Sequence, residues 1–148
     1  MNENCIFCFA GYKHPAKPLV LAVDPDPDNL RLLDLVLRYL NLSAATALDA
    51  SRTSQLLDAL QPQLLMLTLP STIGQGARLV AALKDDPKTR QTPILAVTTS
   101  INPDEQAHLL ASGCCGLICK PFMLDELAAL LNRHLKHKAV RDVELQAP

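Results

Sequence analysis

The chain has 148 residues, 49% hydrophobic and 20% charged, with a formal net charge of −1. That composition excludes a disordered chain and fits a single domain whose core needs no disulfide or metal. The balance of 14 basic against 15 acidic residues argues against a dedicated nucleic-acid binder, which carries a marked basic excess.

Residues 1–18 stand apart as an N-terminal extension. They hold Phe7, Phe9 and Tyr12, three of the five aromatic residues, with Cys5, Cys8, Pro15 and Pro18. An alternation begins at Leu19. Leu19-Val20-Leu21-Ala22-Val23 is a short apolar run of the buried-strand type. Asp24 to Asp28 breaks it, and Asp26 before Pro27 predicts a helix cap with proline in the first turn. Leu30, Leu33, Leu37 and Leu40 then recur at helical spacing. A weak strand is expected at 43–47, a helix at about 51–60 and a fully apolar strand at Leu64–Leu67. Gly76–Lys84 reads as helix and Pro93–Val97 as strand. Pro103–Ser112 reads as helix, closed by Gly113 as a C-terminal cap. Gly116–Cys119 is the last strand. The last helix is expected from about Leu124 to Lys138, with Asp125 and Glu126 in its first turn and basic residues in its last, as the helix dipole favours. The folded domain is thus placed at 19–138, with 139–148 as a C-terminal tail.

Strands alternating with helices imply an α/β domain around a parallel sheet. Sites in such sheets form beyond the carboxyl ends of the strands. The polar groups there are Asp24 and Asp26 after the first strand, Thr68 after the third, Thr98 and Thr99 at the fourth, and Lys120 with Pro121 after the fifth.

With these residues in place, the chain resembles the receiver domains of bacterial two-component response regulators, the CheY-like fold, over about residues 19–135. The resemblance rests on Val23-Asp24-Pro25-Asp26-Pro27-Asp28-Asn29-Leu30, on Pro93-Ile94-Leu95-Ala96-Val97-Thr98, and on Ala111-Ser112-Gly113 leading to Cys119-Lys120-Pro121-Phe122. It implies a flavodoxin-like, doubly wound (βα)5 domain with a parallel five-stranded sheet in the order 2-1-3-4-5. It also implies a chemistry. Receivers accept a phosphoryl group from a histidine kinase on an aspartate at the end of the third strand. Two acids after the first strand hold Mg²⁺. A Ser or Thr after the fourth strand and a Lys after the fifth contact the phosphoryl oxygens, and an aromatic residue in the fifth strand changes rotamer.

Thr98 and Lys120 match that pattern; three other positions depart from it. Pro62-Gln63-Leu64-Leu65-Met66-Leu67-Thr68 puts Thr68 at the phosphoacceptor position. Pro25 stands where the second acid, the closer metal ligand, is expected, and Leu117 falls on the aromatic switch. Gln75-Gly76 matches the Asp-Gly of the following loop without a gap, and the nearest acids, Asp58 and Asp85, fall in helix readings. Aspartyl phosphorylation needs a carboxylate nucleophile, and the flanking Leu67 and Leu69 supply no base to a threonine. Mg²⁺ wants hard oxygen ligands, one or two of them carboxylates, so no metal or other cofactor is expected. Lys120 is then free to pair with Asp24, an interaction worth about 1 kcal/mol if partly exposed, and to hold one conformation.

Other features have plainer readings. Ala59–Ala77 lacks acidic and basic residues, but Pro62, Pro70, Gly74 and Gly76 break it, so it is no membrane span. No signal peptide opens the chain. The five cysteines then read as reduced thiols of a cytoplasmic protein. Cys5-Ile6-Phe7-Cys8 near His14 is half a zinc pattern without a second pair. Cys114, Cys115 and Cys119 read as small buried thiols. His108 reads as a surface or half-buried residue, and His134 and His137 belong to a basic helix end. Leu32, Leu35, Val36 and Tyr39 form a second apolar set on the first helix. Part of it should pack on a neighbour, and Leu32, Leu35 and Tyr39 form a candidate partner face.

The sequence therefore points to a stand-alone, non-enzymatic pseudo-receiver without an output domain, acting by phosphorylation-independent protein–protein contact. Its expected partner is a histidine kinase, a phosphotransfer protein or another signalling protein, with a homodimer left open and nucleic acid and membrane excluded. Two alternatives stand. One is a phosphorelay receiver using a non-standard acceptor such as Asp24 or Asp26, or retaining Mg²⁺ or phosphate binding. The other is an unrelated small enzyme, for which no Gly-rich phosphate loop, paired His or full metal set is present.

Overall fold

The computed structural model describes residues 17–70 and 74–135. The elements run β1 (Leu19–Val23), α1 (Pro27–Tyr39), β2 (Ser43–Ala47), a 3-10 turn at Ala50–Arg52 leading into α2 (Thr53–Leu60), β3 (Leu64–Thr68), α3 (Gln75–Asp85), β4 (Ile94–Thr98), α4 (Pro103–Ala111), β5 (Gly116–Cys119) and α5 (Leu124–His134). The five strands form one sheet in the order β2-β1-β3-β4-β5, and every pairing is parallel. This is the expected doubly wound (βα)5 fold.

The central strands are apolar up to the terminal Thr68 and Thr98 because both of their faces are covered. Val20, Ala22, Leu64, Met66, Leu95, Val97 and Ile118 point to the face covered by α1 and α5, where Leu30, Leu33, Leu37, Leu127 and Leu131 meet them. Leu21, Val23, Leu65, Leu67, Ile94 and Ala96 point to the other face, under Leu57 of α2, Val80 and Leu83 of α3 and Leu109 of α4. Two-residue alternation in the strands and the Leu30-Leu33-Leu37-Leu40 stripe of α1 thus fit the same core.

The helix ends follow local chemistry. The Asp26 side chain accepts a hydrogen bond from the Asp28 amide at 2.9 Å and caps α1, with Pro27 in the first turn. Asn102 caps α4 in the same way. Gly113 follows α4 with φ +125°, and a Cβ there would lie 2.7 Å from Lys84 Cγ, so both backbone and space call for glycine.

The expected last helix is too long: α5 stops at His134 and not at Lys138. Leu135 turns extended, at ψ 141°, and buries itself in the α1–α5 core, with its amide on the Leu131 carbonyl at 2.9 Å. Burial of one leucine outweighs continued helix. The 1–18 extension up to residue 16, with Cys5, Cys8 and His14, lies outside the described residues. So do 136–138, including His137, and the 139–148 tail.

Candidate functional site

Asp24 follows β1 and is the most enclosed acid of the described chain, 1% exposed. Its amide donates to the Ala47 carbonyl at 3.1 Å, extending the β1–β2 ladder by one rung. That anchors its side chain over the carboxyl end of the sheet. Four groups donate to the carboxylate. The Thr68 hydroxyl, at the end of β3, donates to Oδ2 at 2.8 Å. The Lys120 ammonium, one residue past β5, donates to the same oxygen at 2.9 Å. The Asp26 amide donates to Oδ1 at 2.9 Å. Asn29 Nδ2, on the first turn of α1, lies 3.5 Å from both oxygens.

Burial by itself pushes the Asp24 carboxyl up. The bonds from Lys120, the Asp26 amide and Thr68, with the Lys120 charge, outweigh it, and the carboxyl is held below its ordinary value of 3.8. Asp24 is therefore an anion at neutral pH, with its lone pairs engaged. The only hydrogen of the Thr68 hydroxyl is committed to it.

The remaining sequence-picked residues divide. The Asp26 backbone faces Asp24, but its carboxylate is turned away to cap α1. Pro25 is exposed. Thr98 is buried at the end of β4 beside β5, and its hydroxyl accepts from the Ser100 amide at 3.0 Å. The Thr98 carbonyl holds the Lys120 amide at 2.8 Å, which fixes where the lysine leaves β5. The Lys120–Pro121 peptide is cis. Leu117, in β5, packs against the core on the α2–α4 face. Leu32 and Leu35 are 62% and 64% exposed and Tyr39 40%, whereas Val36 packs on the core.

Several contacts were not readable from the sequence. Leu67 and Leu69 flank Thr68, but the fold brings Asp24, 44 residues away, onto its hydroxyl. Asn29 joins from the next element, for which the only signal is its place one turn after the Asp26 cap. Gln106 ties α4 to β5: its Nε2 donates to the Ser100 carbonyl at 2.9 Å and to Cys119 Sγ at 3.2 Å. Nothing in the sequence marks that glutamine.

The cysteines within the described residues are free thiols. Burial pushes Cys114 up to about 11 and raises Cys115 as well. Among the described residues no group of three or more His, Cys, Asp or Glu could hold a metal ion, and no helix is long and apolar enough to cross a membrane.

Comparison with known proteins agrees with this architecture. The family description "Response regulator receiver domain" matches residues 20–132. The chain is similar to protein RcaC of Microchaete diplosiphon, 29% identical over 79% of this chain and 18% of that protein. It is also similar to the transcriptional regulatory protein PrrA of Mycobacterium tuberculosis, 27% identical over 82% of this chain and 51% of that one. It thus spans about half or less of the length of these relatives. Among solved structures, Vibrio cholerae CheY4 superposes with a TM-score of 0.72 at 25% identity, over 81% of this chain and 100% of that one. A receiver domain of a Pseudomonas aeruginosa sensor histidine kinase, with magnesium coordinated in its active site cleft, gives 0.70 at 20% identity over 80% and 98%. Fold, strand order and family match converge: this chain belongs to the response regulator receiver family, the CheY-like signalling modules of two-component systems.

Proposed function

We propose that this chain is a pseudo-receiver, one that keeps the receiver fold, has lost the phosphoacceptor and acts through phosphorylation-independent contact with a signalling protein. The observation that carries the reading is the closed hydrogen-bond shell of Asp24, built by Thr68 and Lys120. In this reading Thr68 occupies the phosphoacceptor position. Thr98 and Lys120 hold the positions that would contact a phosphoryl group, and Leu117 holds the aromatic switch position without a ring to swing.

The chemistry of these groups supports that reading. A threonine is a weak nucleophile unless a base takes its proton. Asp24 is in hydrogen-bond reach, but a carboxylate held below its ordinary range and paired with an ammonium is a poor base. Nor do the residues fit Mg²⁺. The ion needs hard oxygen ligands including one or two carboxylates. Asp24 offers the one inward carboxylate and already holds Lys120. Asp26 spends its carboxylate on the helix cap, and Pro25 has no side-chain oxygen. No step through the metal is derived.

The proposed partner face is Leu32, Leu35 and Tyr39 on α1, a stripe one to two turns long of exposed apolar side chains. The partner is a histidine kinase, a phosphotransfer protein or another signalling protein, met in the cytoplasm, and the contact involves no catalysis by this chain. The test is incubation with acetyl phosphate and Mg²⁺, read by intact mass. The native protein should gain no phosphoryl adduct, while a Thr68→Asp, Pro25→Asp double variant gains one. An adduct on the native protein that disappears in Asp24→Asn would overturn the reading in favour of a phosphorelay receiver with a non-standard acceptor.

A further inference from the structure

At the other edge of the sheet, below the amino ends of β3 and β4, lies a cleft of about 520 Å³. Small-molecule sites occupy about 300–1,000 Å³. The cleft is formed by Gln61 at the end of α2, Gln63 before β3, Lys88 and Gln91 of the α3–β4 loop, Thr92 before β4, and His134 at the end of α5. Leu57 and two prolines add an apolar wall. The ionisable side chains of the lining are a lysine and a histidine, and no carboxylate is among them. Asp86, two residues before Lys88, is engaged by the Lys88 amide and the Ser54 hydroxyl and stays out of the lining. Leu135 also lines the cleft.

We propose that this cleft binds a small organic anion of the phosphate-ester class. The Lys88 ammonium supplies the charge. Three glutamines and a threonine in the lining carry side-chain donors for the oxygens of the ester. The apolar wall takes the organic part. A pocket that is concave and partly apolar, with a few converging polar groups, is the usual form of a small-ligand site. The site lies at the edge of the sheet opposite Asp24, so it stands or falls separately from the pseudo-receiver reading.

The test is a backbone-amide NMR titration of the full chain with adenosine monophosphate, with adenosine, citrate and a short single-stranded RNA in parallel. Saturable shifts at Gln63, Lys88, Gln91, Thr92 and His134 are expected with the monophosphate and not with adenosine, and citrate should bind more weakly. Lys88 is exposed on a loop, so Lys88→Glu should leave the spectrum folded and weaken binding about tenfold or more. Lys88→Arg should retain it. Equal shifts with adenosine, unchanged binding in Lys88→Glu, tighter binding of citrate, or no saturation at millimolar monophosphate would overturn the proposal. Tighter binding of the RNA at the same residues would also overturn it, in favour of a nucleic-acid surface.

Discussion

Lys120 Nζ stands 2.9 Å from Asp24 Oδ2 and joins the end of β5 to the end of β1 across the two strands between them. The Asp24 side chain is 2% exposed and the Lys120 side chain 25%. The pair is thus only partly desolvated on the lysine side, and breaking it leaves a buried anion behind.

Lys120→Met should destabilise the fold by about 1–3 kcal/mol, less than a fully buried pair because the lysine keeps contact with water. Asp24→Asn should cost less, because the carboxamide keeps one oxygen for Thr68 and Lys120. A double-mutant cycle in urea gives the coupling directly. Additive single costs would show that the two groups do not hold each other.

Acid should release this pair. The folded-state pKa of Asp24 is depressed below 3.8, so its contribution is fully present above that value. It is lost as pH falls through the folded pKa. His134 acts in a second window. Burial and the Arg133 charge lower its pKa below 6.5, so folding favours its neutral form, and stability declines as pH drops from about 6.5. A stability–pH curve should therefore show two acid limbs. Asp24→Asn should flatten the lower limb and His134→Gln the upper. An unchanged curve in either variant contradicts the assignment.

The two leucine sets of α1 separate core from surface on one helix. Leu37 is fully buried and Leu35 is 64% exposed. Leu37→Ala should cost about 2–5 kcal/mol and Leu35→Ala less than about 0.5. Leu35→Ala should instead weaken capture of the signalling partner. Equal destabilisation by the two changes would mean that α1 packs differently.

Cys114 should be inert to thiol reagents in the folded protein. Its thiol is buried and pushed up to about 11, so it is protonated at neutral pH and a poor nucleophile. The raised value also implies stability that is full below pH 9.0 and lost as pH rises towards about 11. Labelling of Cys114 at the same rate in native and urea-unfolded protein would contradict this burial.

Much of the fold is legible in the sequence because both sheet faces are covered. Leu64 to Leu67 and Ile94 to Val97 have no polar residue to place, so the runs themselves mark strands buried on both faces. The α1 start is equally plain, since Asp26-Pro27 carries its own cap chemistry. The end of α5 is not, because Arg133 to Lys138 continues a helix-like basic pattern while Leu135 leaves the helix for the core. At the site, Asp24, Thr68, Thr98 and Lys120 could be picked as strand-end residues. The Lys120–Asp24 pair is also expected from their opposite charges at the strand ends, but the Thr68 bond to Asp24 is not, because a bond between residues 44 apart exists only once the sheet has closed. Asn29 and Gln106 reach Asp24 and Ser100 only five and six residues away, but both sit inside helices, where a search of strand ends does not pick them.

The most direct test of the proposed loss of phosphoacceptor chemistry is amide NMR of the native chain titrated with Mg²⁺ and then beryllofluoride, beside the Thr68→Asp, Pro25→Asp double variant. The expected result is no shift at Asp24, Thr98 and Lys120 in the native protein and clear shifts in the variant. Saturable shifts at those residues in the native protein would contradict it, because the closed shell around Asp24 would then still admit metal and a phosphoryl mimic.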